Sequence, residues 1–214
     1  MLLAHGWFLV YVCLIIGGRS VWVIGHSFVC WAKRRAAVRK HGLQLGFPEG
    51  TVRFHCYGTP GMRWKGVGLT FMQNMKSGGR PDILVIHAGG NDMGVIPQRE
   101  LVEVMKQDLK KIWRACPGVV VVWSEMVPRL EWRFARDWAR LDRSRGKINK
   151  LLASFVRKAG GVVVRHTSLE ERLPGFYCRD GVHLSDVGWD LFNLAITDGV
   201  EKALFLSGGG SRHA

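Results

Sequence analysis

Residues 119–123, Val-Val-Val-Val-Trp, form an apolar run with no polar interruption. A strand with one wet face alternates apolar and polar side chains. An unbroken run instead suits a strand covered on both faces, as in a parallel sheet held between two layers of helices. Similar runs recur at residues 21–24, 83–86 and 162–164. Between them lie helical patterns. Residues 28–40 set Phe28, Val29, Trp31 and Ala32 against Lys33, Arg34, Arg35, Arg39 and Lys40. Pro97 suits the first turn of a helix reaching about Trp113, with Leu101, Val104, Met105, Leu109 and Ile112 on one face. Strands are expected at 20–25, 51–55, 83–87, 119–123 and 161–165. Further helices are expected at 68–75, at 134–158 with a break at Gly146, and at 186–204, the last capped by Ser185. This alternation predicts a three-layer α/β/α sandwich around a five-stranded parallel sheet. Ligand sites of such folds lie at the carboxyl ends of the strands.

The 214 residues suffice for one domain with a sizeable core. No repeat or linker divides them. The expected organisation is an apolar N-terminal segment at 1–19, a domain at 20–206 and a flexible Gly/Ser tail at 207–214. Residues 7–16 are strongly apolar but short for a transmembrane span. No Lys or Arg precedes them, as a signal peptide would require, and Gly17-Gly18 supplies no clear cleavage pattern. Two readings stay open: a signal or anchor, or an apolar element packed on the domain. An intracellular location is expected under the second. The five cysteines are an odd number at wide, irregular spacing, which suits buried free thiols in a reducing compartment.

Candidate chemistry sits at the ends of the strand-like runs. The first ends in Gly25-His26-Ser27. The run at 83–87 continues into Ala88-Gly89-Gly90-Asn91-Asp92. Between them lies Tyr57-Gly58-Thr59-Pro60-Gly61, and near the C-terminus stands Asp180-Gly181-Val182-His183. Each block alone has a plainer explanation: a helix cap at Ser27, a turn at Gly89-Gly90-Asn91, a capped loop at Asp180. In order, they supply a nucleophile, oxyanion donors, a base and an orienting acid, the parts needed for acyl transfer. Val29 stands where Gly-x-Ser-x-Gly would place its second glycine, which argues against the α/β-hydrolase nucleophile elbow. His55 and His87 lie at strand ends without metal-ligand spacing, and read as site-wall or core residues. No phosphate-binding glycine loop with Lys-Ser/Thr is present. Neither a metal nor a cofactor is called for.

The four blocks together resemble the SGNH-hydrolase superfamily, the GDSL-type esterases and lipases, over about residues 20–205. The resemblance implies a flavodoxin-like fold and metal-free ester hydrolysis through an acyl-enzyme. It makes Ser27 the nucleophile, His183 the base and Asp180 its orienting partner. The oxyanion hole falls to the N–H groups of Ser27 and Gly61 and to the Asn91 side chain, with Gly58 the alternative to Gly61. Residues 21–28 also resemble the SGNH-domain proteins found with vertebrate retroelements, in which Gly-His-Ser-Phe replaces Gly-Asp-Ser-Leu. His26 departs from the superfamily's usual Asp. A protonated imidazole cannot accept a hydrogen bond as that carboxylate does, whereas a neutral one can.

The expected substrate is a lipid ester, an acetylated glycan or a small acyl ester. The formal net charge of +14 supports a second class of function. Arg133, Arg136, Arg140, Arg143 and Lys147 belong to a basic helical stretch only partly offset by acidic residues. They are candidate contacts for nucleic acid or another polyanion. The alternative is therefore a basic nucleic-acid-binding or retroelement accessory protein on the same fold, with weak or lost catalysis.

Overall fold

Five parallel strands form the centre of the computed structural model, which describes residues 18–132 and 137–208. They are β1 (Arg19–Gly25), β2 (Val52–Gly58), β3 (Ile83–His87), β4 (Val120–Ser124) and β5 (Val162–Val164), in the order β2-β1-β3-β4-β5. This is the flavodoxin-like order. The uninterrupted apolar runs feed both faces. Trp22, Ile24, Leu84, Ile86, Val121 and Trp123 pack on one side against α2 (Trp64–Lys76), α3 (Gln98–Ala115) and α4 (Trp138–Lys158). Val21, Val23, Ile83, Val85 and Val122 pack on the other against α1 (Ser27–Ala37) and α6 (Asp186–Gly208). The short α5 (Thr167–Glu170) follows β5. Among the described residues no helix is long and apolar enough to cross a membrane.

Several element boundaries differ from the sequence expectation, each for a local reason. The β2 strand continues to Gly58, in register with Gly25 of β1. It is an edge strand and half-exposed, and its last two residues, Tyr57-Gly58, fall in the block that the sequence marks as a glycine turn. Helix α2 starts at Trp64 rather than Gly68. Its first N–H donates to the buried Asp92 carboxylate (2.8 Å), a cap supplied from the loop after β3. Helix α4 passes through Gly146 unbroken and is capped by Asp137, which accepts from Arg140 N–H (2.9 Å). The expected start of that helix at 134–136, like residues 1–17 and 209–214, lies outside the described residues. Helix α6 extends to Gly208, with the Ser207 hydroxyl donating to the Leu204 carbonyl (3.0 Å), so the first two residues of the expected tail are helical. Ser185 caps α6 as expected, accepting from Gly188 N–H (3.3 Å). Cys30, Cys56, Cys116 and Cys178 are free thiols. Only Cys116 is fully buried, and Cys178 is exposed against expectation: it lies on an outer loop, where its thiol donates to the Leu184 carbonyl (3.0 Å).

Candidate active site

The strand order reverses direction between β1 and β3, and loops leaving their carboxyl ends diverge there. In-register pairing sets Gly25 beside both Gly58 and His87. The segments after these three residues, which carry Ser27, Gly61 and Asn91, therefore leave one edge of the sheet together. The loop before α6 brings Asp180 and His183 to the same place.

Ser27 is the first residue of α1, at the end of the helix where the dipole favours negative charge. Its Oγ lies 3.0 Å from His183 Nε2. His183 Nδ1 lies 2.6 Å from Asp180 Oδ2. Asp180 Oδ1 accepts from the N–H groups of Val182 (3.0 Å) and His183 (2.9 Å). Partial burial would raise the Asp180 carboxyl. The His183 imidazole and these two N–H groups outweigh it and hold the pKa at about 2. An ionised Asp180 keeps the proton on Nδ1, so Nε2 is left to accept the Ser27 hydroxyl proton.

Asn91 follows β3, and its amide is fixed at both ends. Nδ2 donates to the Met62 carbonyl (3.1 Å), and Oδ1 accepts from Arg129 Nη2 (3.1 Å). Asn91 thus adjoins the turn that holds Gly61. Gly61 is exposed, and among the described residues its N–H donates no backbone hydrogen bond. Gly58 differs. It ends β2, and a Cβ there would lie 2.7 Å from Cys30 Sγ, so close packing on α1 accounts for this glycine.

His26 takes the acceptor role that an aspartate fills in the resembled motif. It is the N-cap of α1, and its Nδ1 accepts from Phe28 N–H (3.4 Å). Burial, then the charges of Arg129 and His183, lower its pKa to about 3, so the imidazole is neutral and able to accept. Beneath it, Ser124 Oγ lies between His87 Nδ1 (2.9 Å) and His166 Nε2 (2.8 Å). His87 packs its ring edge-on against His26, with centroids 5.1 Å apart. All four side chains are buried. Burial lowers His166 to about 3, and burial with the nearby charges of His26, His166 and Arg129 holds His87 well below its usual value. His87 is a core residue, whereas His55 is half-exposed and stacks on Tyr57. Among the described residues no group of three or more His, Cys, Asp or Glu side chains is placed to hold a metal ion.

The basic helix divides. Arg140, Arg143 and Lys147 lie exposed along one stripe of α4, with no ion pair among the described residues. Arg133 and Arg136 lie outside the described residues. Arg145, on the same helix, is buried. It pairs with Asp142 and Glu170 (2.8 Å each) and donates to the Met126 carbonyl (2.7 Å).

The sequence offered no local signal for Arg129, which reaches Asn91 from a different loop.

No family model and no curated protein matches the chain by sequence. Solved structures do match by fold. A GDSL-like lipase from Bacteroides thetaiotaomicron superposes with a TM-score of 0.67 at 18% identity, over 86% of this chain and 89% of its own. A member of the lipolytic G-D-S-L family from Veillonella parvula gives 0.63 at 14%, over 84% and 96%. A catalytic mutant of an acetylxylan esterase from Geobacillus stearothermophilus gives 0.64 at 14%, over 86% and 95%. The chain has the fold of the GDSL-like, SGNH-type hydrolases.

Proposed function

We propose that the protein is a serine esterase that cleaves carboxylic esters through an acyl-enzyme. The observation that carries this reading is the unbroken chain from Ser27 Oγ to His183 Nε2 (3.0 Å) and from His183 Nδ1 to Asp180 Oδ2 (2.6 Å). Ser27 Oγ attacks the ester carbonyl carbon while its proton passes to His183 Nε2. Asp180 stabilises the resulting imidazolium. Negative charge on the former carbonyl oxygen faces three donors: the N–H of Ser27, the N–H of Gly61 and Asn91 Nδ2. Collapse breaks the bond to the alkoxide, which takes the proton from His183. Water then repeats the sequence, adding to the acyl carbon, giving its proton to His183 and releasing the acid and free Ser27.

Gly61 is assigned here rather than Gly58 because the residue is exposed, its N–H donates no backbone hydrogen bond among the described residues, and Asn91 donates to the carbonyl of the next residue, Met62. The fold neighbours include a lipase and an acetylxylan esterase. Lipid esters, acetylated glycans and small acyl esters are accordingly the candidate substrates, and short-chain esters serve as the first test. A serine-reactive fluorophosphonate should label the full-length protein at Ser27. Hydrolysis of p-nitrophenyl acetate should be lost in Ser27→Ala and His183→Ala. A folded Ser27→Ala protein that keeps the wild-type rate would overturn the assignment.

The exposed Arg140, Arg143 and Lys147 stripe supports a second, compatible reading. There this face binds a nucleic acid or another polyanion through its phosphates or sulfates while the ester site works independently.

A further inference from the structure

The loop joining β4 to α4 touches both halves of the candidate site. Asn149 of α4, itself buried, accepts from Met126 N–H (3.0 Å) and donates to the Met126 carbonyl (2.9 Å), which also accepts from Arg145. The Tyr177 hydroxyl donates to the Pro128 carbonyl (3.2 Å). The N–H groups of Leu130 (2.8 Å) and Glu131 (3.0 Å) donate to the carbonyl of Gly181, inside the Asp180–His183 loop. Arg129 stands in the middle of this bolted segment. Its guanidinium lies over the Trp132 ring, 4.9 Å from the centroid, and its Nη2 donates to Asn91 Oδ1.

Gly90 has a specific relation to this side chain. A Cβ at Gly90 would lie 2.9 Å from Arg129 Nη2. Its φ is not in the left-handed region, unlike that of Gly89 at +100°. Backbone conformation therefore does not explain the second glycine; room for the guanidinium does.

We propose that Arg129 is the positioning residue of the oxyanion hole. By donating to Oδ1, opposite the Met62 carbonyl that accepts from Nδ2, it fixes which end of the Asn91 amide is nitrogen, and so keeps an N–H rather than a carbonyl oxygen facing the developing oxyanion. A flipped amide would place a partial negative charge there. The guanidinium also polarises the amide, which makes Nδ2 a stronger donor. Gly90 is the space that lets this happen. The proposal rests on the serine esterase reading.

The test is steady-state kinetics on the full chain with p-nitrophenyl acetate, after fluorophosphonate titration of active Ser27. Arg129→Ala should lower kcat by about tenfold to a hundredfold, somewhat less than removal of the donor itself, with KM within about twofold. Arg129→Lys, which keeps a cation and one donor, should recover part of the loss. Gly90→Ala should imitate Arg129→Ala. The decisive measurement is the double variant: once Asn91→Ala has removed the amide, Arg129→Ala should cost less than about twofold more. A purely structural arginine would instead lower both backgrounds by the same factor, and that result would overturn the proposal. So would an unchanged kcat in Arg129→Ala beside an active wild type. A wild type that neither labels at Ser27 nor turns over would instead remove the esterase reading, and this assignment with it.

Discussion

Three neutral imidazoles buried under the site make acid the condition to which this fold should be most sensitive. His26 and His166 have pKa values near 3, and His87 is held well below its usual value, in each case first by burial. In the unfolded chain each would titrate near 6.5. Between about pH 6.5 and 3 the unfolded state therefore binds more protons than the folded state. Stability must rise with pH across that window, be complete above it and be lost as pH falls through it. At pH 5 His26 and His166 each give the unfolded state about 2 kcal/mol relative to pH 7, or about 4 kcal/mol together, and His87 acts in the same direction. That is a large share of the stability of an ordinary domain. Asp92 and Glu125, whose carboxyls burial raises, act in the opposite direction and blunt the fall. Urea unfolding followed by circular dichroism at pH 7, 6 and 5 should show a loss of several kcal/mol. His166→Gln should reduce that loss by about 2 kcal/mol, since one protonation has been removed. Equal stability at pH 7 and 5, or a pH dependence untouched by His166→Gln, would refute the claim that these imidazoles are buried and neutral.

Asn91→Ala should lower turnover by about a hundredfold or more while KM changes little, the scale of losing one side-chain oxyanion donor; loss of stability alone, at constant turnover per folded molecule, would reduce Asn91 to a turn residue. Asp92→Ala uncaps α2 and should destabilise the protein by about 1–2 kcal/mol, read as a shift of the urea midpoint with kcat preserved in the folded fraction. If the basic stripe binds single-stranded nucleic acid, fluorescence anisotropy should show weak sequence preference and a steep salt dependence. Five phosphate contacts by Arg133, Arg136, Arg140, Arg143 and Lys147 would give a log–log slope of about −3.5. Changing these five to Gln should flatten the slope and leave hydrolysis of a neutral ester unchanged, whereas binding that persists unaltered in that variant would dismiss the stripe.

The central strands were legible because burial on both faces writes an unbroken apolar run. Residues 83–87 and 120–124 need no context to be read. The full length of β2 is not legible because Tyr57-Gly58 has the composition of a turn, whereas in the fold Gly58 still pairs in register with Gly25. The start of α2 was hidden by Gly66, and its cap comes from Asp92, 28 residues beyond Trp64. The blocks at Ser27 and Asn91 stood out because each directly follows a strand end, where this architecture concentrates chemistry. What could not be read was how the blocks are supported. Nothing local to Arg129 indicates Asn91, and nothing local to Ser124 indicates that it bridges His87 and His166. Such contacts depend on strand order and loop paths, which a linear pattern does not encode.

The hydrogen bond between Ser27 and His183 spans 156 residues of chain. Helix α6, which directly follows the histidine loop, packs on α1, which carries the serine. Arg35 of α1 pairs with Asp186 and Asp190 (2.7 Å each), and Asn193 donates to the Ala32 carbonyl (3.0 Å). Ser27 is synthesised 156 residues before His183, and the docking of these two helices brings them together. If the proposed esterase mechanism holds, a chain that stops before His183 would hold a serine without its base. Fluorophosphonate labelling of Ser27 should therefore report completion of this high-contact-order topology, with reactivity appearing in one step when the last long helix closes on the first.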